Sequence, residues 1–451
     1  QPDNANVHNN LGTLFKELRE FQKAMNHFQR AIEIQPNQAD AHYNLGIVFK
    51  ELGEFQKAIS CYQKAIQIQP NYTVAYYNLG SLLKSSGKFQ KAIDSYQKGL
   101  KYEPENLNYY YQLSHFKKEL LNQNFKKKII NIMKKNNSTK KNLAYGNFLL
   151  AKYEEQLKNY RKEFNYLLKG HQCYFESKEK KFIKEAEYLL DKLPQIKKLV
   201  TLNKLNQNSR KINYKIKPIF IVGIPRCGST LVEKIIASGA KYIPIGEETG
   251  IINNFVRQKI EQKQSLNLDI NNSQAELFEK YKQIGLIQKK SDYIFTDKSL
   301  DNFFYIGLIK AIYPHAKVIN CKRNALSSIV SILQNNLTGI SWAHDIENIF
   351  RYFDIYHKMI NNYVKIFPNF VYELELEKFT NNPESESKKL LEYCDLPWNE
   401  KCLEYYKRKD VISQTASNIQ IREAIYKTSN KKYLPYKKLL SKYGKKYSWF
   451  N

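Results

Sequence analysis

A 34-residue repeat at the N-terminus constrains the fold of this 451-residue chain more than any other sequence feature. Prolines stand at positions 2, 36, 70 and 104, and the residues between them keep one register. At matching positions, each unit contains a Leu-Gly pair, a Phe, an Ala and then a second aromatic residue. A unit of this length holds two helices, and it must stack on its neighbours to bury its apolar face. The repeat therefore predicts an α-helical solenoid over residues 1–104, in which each Pro ends the second helix of a unit.

The period and its small and aromatic positions resemble the tetratricopeptide repeat (TPR). Such arrays usually bind a peptide or a partner protein on their concave surface. An Asn recurs on the first helix of each unit, as Asn10, Asn44 and Asn78. These amides either contact the backbone of a bound peptide or are ordinary polar residues of a helix surface. The repeats thus predict a protein or peptide partner, and they predict no reaction.

A basic segment, residues 105–216, follows the repeats and carries 25 Lys and Arg against 10 Asp and Glu. Its apolar residues keep helical spacing, and residues 143–175 predict a stretched helical hairpin related to the repeats. The basic clusters are either solvated helix faces or a surface for an acidic partner. Because the aromatic residues lie at core spacing rather than alternating with the basic ones, no nucleic-acid partner is expected.

The composition bounds the remaining possibilities. The net charge of +29 reflects either codon bias or an anionic ligand or partner, and only 10 of the 72 basic residues are Arg. No stretch approaches 18 apolar residues, and the cysteines form no Cys-x-x-Cys pair, so neither a membrane span nor a disulfide or zinc scaffold is expected. The chain begins at Gln1 inside a repeat, as a fragment or processed form would. A cytoplasmic location is expected, with a lost targeting segment as the alternative.

The pattern changes at residue 218, where a short apolar strand runs into a glycine loop. Residues 218–223 predict a buried parallel strand, and the loop Gly-Ile-Pro-Arg-Cys-Gly-Ser-Thr leads from it into a helix. Loop amides and the N-terminus of such a helix point at an anion. Ser229 stands where nucleotide triphosphatases have Lys, and Arg226 supplies the positive charge instead. The loop therefore suits a phosphate-bearing cofactor without the usual magnesium-triphosphate machinery.

This loop resembles the 5′-phosphosulfate loop of sulfotransferases, which use 3′-phosphoadenosine 5′-phosphosulfate (PAPS). Among sulfotransferases, the sequence of this loop looks most like that of protein-tyrosine sulfotransferases and of bacterial sulfotransferases fused to TPRs. The resemblance covers residues 217–451 and implies an α/β, P-loop-like domain with a mostly parallel sheet. It implies that the 5′-phosphosulfate is bound by Arg226, Cys227, Gly228, Ser229 and Thr230.

Two further motifs resemble the family's catalytic residues. Gly-Glu-Glu-Thr at 246–249 is similar to the segment whose first Glu is the general base, and this role falls to Glu247. A phenol with a pKa near 10 is a poor nucleophile, and a carboxylate in hydrogen-bond reach can accept its proton. Gly250 stands where the tyrosine-specific family has Arg. Lys298, in Thr-Asp-Lys, resembles the Lys at the bridging oxygen and leaving phosphate, where a fixed cation lowers the barrier.

Other segments resemble the rest of the cofactor site. Arg323 ends a buried strand and Ser331 lies eight residues later, which is the spacing of the family's 3′-phosphate site. A planar guanidinium can bind two phosphate oxygens while the Ser hydroxyl donates a third bond. The resemblance places Tyr372 beside the adenine. It also implies that Ser417 contacts the transferring group and that Arg422 reaches the 3′-phosphate.

The resemblance predicts a PAPS-dependent sulfotransferase that needs no metal. The acceptor that the motifs favour is a tyrosine of a protein or peptide. Two alternatives stay open. The acceptor is a glycan or small-molecule hydroxyl, because the same cofactor site serves all of them, or the chain is a TPR scaffold with a vestigial nucleotide site. A P-loop kinase is disfavoured by the absent Lys after Gly228.

Overall fold

The computed structural model of the chain describes residues 4–195, 216–239, 243–261, 269–287, 293–408, 420–425 and 431–450. The described residues up to Ser138 form one compact unit, and those from Thr139 onward form a second. The domain boundaries predicted from the sequence, after residues 104 and 216, stay predictions.

The first unit consists of helices in consecutive pairs. They are α1 (Ala5–Glu17), α2 (Phe21–Ile34), α3 (Ala39–Glu51), α4 (Phe55–Ile68), α5 (Thr73–Ser85), α6 (Phe89–Tyr102), α7 (Leu107–Leu113) and α8 (Gln123–Met133). Within each of the first three pairs, the first helix packs against the second, and each pair also contacts the next. The predicted α-helical solenoid pattern of two helices per 34 residues is therefore present.

The repeating glycines are explained by close helix packing. A Cβ on Gly12, Gly46 or Gly80 would lie only 2.5 to 2.8 Å from a ring carbon of the aromatic residue sixteen positions later. Those rings, which are fully buried, belong to Phe28, Tyr62 and Tyr96. Any larger side chain on the first helix would push the second helix away, so the Gly–aromatic pair sets the distance between the two helices.

The recurring Asn side chains join adjacent repeats. Asn44 accepts a 3.1 Å hydrogen bond from Lys16 Nζ and donates one of 3.1 Å to Asn9 Oδ1. Asn78 donates a 2.7 Å bond to the hydroxyl of Tyr43. Two of the three recurring amides thus make contacts between one repeat and the next.

The second unit is built on a four-stranded, fully parallel sheet, as predicted. Its strands are β1 (Ile216–Gly223), β2 (Tyr293–Asp297), β3 (Lys317–Lys322) and β4 (Val371–Glu375), in the order β2-β1-β3-β4. All but one residue of β1 are buried, as the apolar run predicts for a strand covered on both faces. The chain leaves β1 for β2 on one side and then returns to β3 on the other, so loops diverge at the carboxyl ends of β1 and β3. Ligands of open parallel sheets bind in such a crevice.

The same unit contains further helices. They are α9 (Lys140–Gln156), α10 (Tyr160–Glu176), α11 (Glu179–Glu187), α12 (Ser229–Ala237), α13 (Ile251–Glu261), α14 (Ile270–Gln283), α15 (Ile306–Ile312), α16 (Ala325–Leu333), α17 (Ile346–Ile366), α18 (Leu376–Asn381), α19 (Pro383–Tyr393) and α20 (Lys437–Gly444). Helices α9 and α10 form the hairpin predicted for residues 143–175. A Cβ on Gly170 of α10 would lie 2.8 Å from the ring of Phe148 on α9, so this pair repeats the Gly–aromatic packing of the first unit.

The hairpin α9–α10 packs onto the segment that follows β3. His171 on α10 makes a 2.8 Å contact from Nε2 to the carbonyl oxygen of Leu333, the last residue of α16. Its Nδ1 lies 3.0 Å from Nδ1 of His344, and both rings are buried. Burial lowers the pKa of His171 to about 4. Part of the basic segment is therefore a structural component of the sheet-containing unit.

Candidate active site

The loop between β1 and α12 has a backbone that only glycine can adopt at two points. Gly228 has φ +91°, and a Cβ there would lie 2.5 Å from Cδ1 of Leu376. Gly223 has φ +151°, and a Cβ there would lie 2.7 Å from the carbonyl oxygen of Cys321. Between them Arg226 has φ +73°, which is uncommon for a residue with a side chain. The loop is thus tightly turned, and it leads directly into α12, which starts at Ser229.

Cys227 lies buried in this loop. Its thiol accepts a hydrogen bond from the thiol of Cys321 at the end of β3, and this bond lowers the pKa of Cys227. Cys227 thus connects the loop to the neighbouring strand.

Three predicted cofactor-binding residues come together at the carboxyl ends of β1 and β3. Arg226 Nε donates a 3.0 Å hydrogen bond to Ser331 Oγ on α16. Arg323 Nη1 donates a 3.1 Å bond to the carbonyl oxygen of Arg226. Asn324, which stands where the family usually has Asp, caps α16 by accepting a 2.9 Å bond from the amide of Ser327. The helix that carries Ser331 is therefore fixed directly after Arg323.

A third cation, Lys432, lies within electrostatic range of these two arginines. Partial desolvation lowers the pKa of Lys432, and the charges of Arg323 and Arg226 act in the same direction, while Glu155 and Glu163 oppose them. Three cations within electrostatic range of one another repel, and an anion bound among them relieves this repulsion. Lys432 lies ten residues after Arg422, which the sequence resemblance places at the 3′-phosphate.

The Gly-Glu-Glu-Thr segment runs alongside β2. Pro244 accepts a 3.0 Å backbone bond from Thr296, and the carbonyl oxygen of Glu247 accepts a 2.7 Å bond from the amide of Lys298. A Cβ on Gly246 would lie 2.2 Å from the carbonyl oxygen of Thr296, so only Gly fits there. Glu247 itself has φ +32°, a strained value of the kind that clusters at functional sites. This pairing brings the predicted base next to the predicted catalytic Lys.

A buried carboxylate secures this arrangement. Asp297, at the end of β2, accepts hydrogen bonds from the hydroxyls of Thr249 (2.8 Å), Tyr281 (2.7 Å) and Ser299 (2.7 Å). Burial raises the pKa of Asp297, although these bonds act against the rise. Buried polar groups need such partners, and here the partners tie Thr249 of the base segment to the strand.

Lys298 is buried among carboxylates. Its Nζ lies 3.4 Å from Oε1 of Glu248, and its side chain is 1% exposed. Burial alone lowers the pKa of an ammonium, but Glu248, Glu233 and Glu247 outweigh this effect and raise the pKa of Lys298. Lys298 therefore carries a fixed positive charge beside Glu247.

Two charged residues of this site, Glu233 and Lys234, were not predicted from the sequence. Lys234 Nζ lies 3.8 Å from Glu247 Oε1. Glu233 accepts a 2.8 Å bond from Thr296 Oγ1, and burial raises its pKa to about 7, opposed by the charges of Lys298 and Lys234. The available signal was a Glu-Lys pair inside the apolar helix α12, whose residues are almost all buried.

Three further residues, Tyr372, Arg422 and Ser417, were predicted at the site. Tyr372 lies half-buried on β4, and its ring stacks on Tyr393 with centroids 5.0 Å apart. Arg422 lies in the short turn Gln420–Arg422, and desolvation lowers its pKa. Ser417 lies outside the described residues. The roles predicted for these three residues stay predictions.

Two classes of feature are absent from the described parts of the chain. No three His, Cys, Asp or Glu side chains there are grouped so that they could hold a metal ion. None of the helices in those ranges has both the length and the apolar character that crossing a bilayer requires.

Comparisons with known proteins agree with this architecture. Residues 218–400 match the model of the sulfotransferase family. Residues 39–72 and 73–106 match the tetratricopeptide repeat, and residues 15–53 match a second TPR model. The predicted repeats and the resemblance of the second unit to sulfotransferases are therefore confirmed.

Individual relatives match parts of the chain. An uncharacterized protein of Aquifex aeolicus is 30% identical over 316 residues, which are 67% of this chain and 41% of that protein. The chain thus spans about two fifths of the length of this relative. Among solved structures, YrrB, a TPR protein with an unusual peptide-binding site, is 17% identical and covers 38% of this chain and 88% of its own, with a TM-score of 0.29. PilF of Pseudomonas aeruginosa is 20% identical, and the match covers 39% of this chain and 86% of PilF, with a TM-score of 0.30.

The two family matches account for the two kinds of structure in the chain. The loop after β1 with Arg226, the 246–249 segment beside β2 and Arg323 after β3 all fall inside residues 218–400. The chain carries a domain of the sulfotransferase family, preceded in sequence by tetratricopeptide repeats.

Proposed function

We propose that this chain transfers a sulfuryl group from PAPS to a hydroxyl acceptor, and that the acceptor is a tyrosine of a protein or peptide. The observation that carries the proposal is the contact of Arg226 with Ser331, with Arg323 bonded to the loop beside them. It joins the loop that resembles the 5′-phosphosulfate site to the pair that resembles the 3′-phosphate site.

The residues present fit such a donor. The cradle needs glycine at Gly223 and Gly228, where a Cβ would collide with neighbours. The loop leads into the N-terminus of α12, and the N-terminus of a helix suits an anion. Arginine can bind phosphate oxygens in pairs, which Lys cannot. In this proposal Arg226 and the loop through Thr230 hold the 5′-phosphosulfate, and Arg323, Ser331 and Lys432 hold the 3′-phosphate.

The chemistry assigned to the protein is proton removal and charge stabilisation. When bound, PAPS supplies an activated sulfuryl group. Glu247 accepts the proton of the attacking hydroxyl, since a carboxylate placed there assists bond formation. Lys298 stabilises negative charge that develops on the leaving oxygen, and one well-placed group of this kind contributes roughly 3 kcal/mol. Ser417 shares this role in the proposal.

The acceptor class rests on two features. The Gly-Glu-Glu-Thr segment resembles that of tyrosine sulfotransferases, and TPR arrays usually bind peptides. An acidic sequence around the tyrosine would suit a chain with a net charge of +29. The cytoplasmic location expected from the sequence stays a prediction, as does independence from metal ions.

Calorimetric binding of 3′-phosphoadenosine 5′-phosphate (PAP), compared with adenosine 5′-monophosphate (AMP), tests the donor. We expect micromolar binding that requires the 3′-phosphate in the wild type and is lost in Arg323→Ala. Equal affinity for the two nucleotides would contradict the proposal and favour a TPR scaffold with a vestigial nucleotide site.

Transfer of label from PAPS tests the acceptor. We expect a peptide with Tyr among acidic residues to be labelled and the same peptide with Phe in place of Tyr to stay unlabelled. Labelling of a glycan or a small alcohol but not of the Tyr peptide would keep the donor assignment and overturn the acceptor assignment.

A further inference from the structure

Helix α10 lies outside the sulfotransferase-family match, yet one of its residues contacts the proposed donor site through two others. We propose that Glu163 is a positioning residue: it holds the C-terminal segment 431–436 so that Lys432 stands beside Arg226 and Arg323, and it thereby sets the affinity for the 3′-phosphate. This inference rests on the proposed function, because it concerns the same donor site.

The contacts of Glu163 are specific. The residue is 1% exposed. One carboxylate oxygen accepts a 2.6 Å hydrogen bond from the Tyr436 hydroxyl, and the other accepts a 2.8 Å bond from Gln334 Nε2. Gln334 also lies 3.2 Å from the Tyr436 hydroxyl, to which it donates. A buried carboxylate is costly unless it is bonded in this way, so the three side chains form one hydrogen-bonded group, which Gln334 extends to Glu155 Oε1 (3.3 Å).

Both partners belong to elements that carry donor-site residues. Gln334 directly follows α16 and lies three residues after Ser331. Tyr436 ends the short helix Leu434–Tyr436 and lies four residues after Lys432. Two backbone hydrogen bonds stiffen the stretch that contains Lys432 and Tyr436. The amide of Leu434 donates to the carbonyl oxygen of Lys431 (3.0 Å), and the amide of Tyr436 donates to that of Tyr433 (2.9 Å). A displacement of Tyr436 is therefore passed on to Lys432.

Charge gives a second reason for this arrangement. Lys432, Arg226 and Arg323 repel one another, and the charges of Glu155 and Glu163 offset part of this repulsion at Lys432. Without the anchor, Lys432 would move away from the two arginines. The hairpin α9–α10 thus completes the donor site, although residue 163 precedes the family match at residues 218–400.

The test uses variants that keep the net charge and weaken only the hydrogen bonds of this group. Glu163→Asp retains the carboxylate on a side chain one methylene shorter, and Tyr436→Phe removes only the hydroxyl. The matched control is Glu154→Asp, a change at an equally buried Glu of α9 whose carboxylate accepts a bond from Asn159 within the hairpin. Each full-length variant is titrated with PAP and with AMP.

We expect Glu163→Asp and Tyr436→Phe to weaken PAP binding about five- to tenfold, as loss of a hydrogen-bonded anchor does, and to change AMP binding less than about twofold. Glu154→Asp should change neither. In a Lys432→Ala background, Glu163→Asp should have no further effect on PAP binding, because both changes act through the same ammonium.

Four results would overturn the inference. Equal losses in Glu163→Asp and Glu154→Asp, or equal losses for PAP and AMP, would show a general structural effect. Additive losses for Glu163→Asp and Lys432→Ala would show that Glu163 does not act through Lys432. A wild type that does not distinguish PAP from AMP would overturn the proposed function itself, and the inference with it, so the two failures are distinguishable.

Discussion

Arg226 and Ser331 are 105 residues apart in the chain, and the guanidinium Nε of the first donates a 3.0 Å hydrogen bond to the hydroxyl of the second. Arg226 lies in the loop after β1, and Ser331 lies on the helix after β3. Because β1 and β3 are neighbouring parallel strands, their carboxyl ends meet and the two side chains reach each other. The donor site proposed here is thus a consequence of strand order.

Ser331→Ala should weaken PAP binding by roughly ten- to a hundredfold, because hydrogen bonds to charged groups contribute about 1.5–3 kcal/mol. AMP binding should change less, since AMP lacks the 3′-phosphate and is affected only through Arg226. Calorimetry with both nucleotides measures this. The control is Ser328→Ala, a buried Ser one turn earlier on α16. A comparable loss in Ser328→Ala would assign the effect to helix packing.

Glu247→Gln should lower the rate of sulfuryl transfer by roughly 10²- to 10⁴-fold, since general-base catalysis contributes on this scale. PAP affinity should be retained, because the proton acceptor is not a donor-binding residue. The matched control is Glu248→Gln, which changes the adjacent, largely exposed carboxylate that pairs with Lys298. We expect a loss of less than about tenfold for it. A larger loss in Glu248→Gln than in Glu247→Gln would indicate that Glu248, and not Glu247, is the general base.

Gly246→Ala should lower the transfer rate while PAP binding persists. The added Cβ would lie 2.2 Å from the carbonyl oxygen of Thr296, and backbone atoms cannot move aside cheaply, so the segment with Glu247 must shift. The comparison is Gly285→Ala, where φ is +79° but no atom lies within 4 Å of the added Cβ. That variant should cost some stability and leave the rate unchanged. An unchanged rate in Gly246→Ala would show that the position of Glu247 does not depend on this contact.

Glu233 predicts a pH dependence of stability. Burial raises its pKa to about 7 in the folded state, above the ordinary value of 4.5, so the folded state binds this proton more tightly than the unfolded state. The contribution of Glu233 is therefore largest below pH 4.5 and is lost as the pH rises to 7, by about 3 kcal/mol in total. Glu233→Gln lacks this titration.

The melting temperature of Glu233→Gln minus that of the wild type should therefore increase between pH 5 and pH 8. The difference between the two proteins cancels titrations that they share, such as that of His171, whose lowered pKa acts in the opposite direction. Thermal unfolding at four pH values checks this. Parallel pH profiles for the two proteins would contradict a raised pKa at Glu233.

Local sequence was sufficient for the elements that depend on short-range pattern. The 34-residue period predicts helix pairs because each unit repeats its own Gly–aromatic contact, such as Gly46 with Tyr62, within sixteen residues. The apolar run before Gly223 likewise predicts a buried parallel strand from short-range pattern, since periodicity and turn chemistry are local properties.

The pairing of functional residues was only partly accessible in this way. The order of the motifs indicated that Arg226, Arg323 and Ser331 serve one ligand, and the structure brings them into contact. Glu233 and Lys234 were missed because a Glu-Lys pair in a helix is usually solvated, and only the packing of α12 against the sheet shows that both are buried.

The repeats, the strand–loop–helix cradle and the residue types of the proposed site follow from local sequence. The folded chain alone shows that the hairpin α9–α10 belongs to the sheet-containing unit and that Glu163 reaches Tyr436, 273 residues away. No local pattern encodes such a contact. It forms because burying a charged carboxylate requires partners, and the fold supplies them from distant parts of the chain.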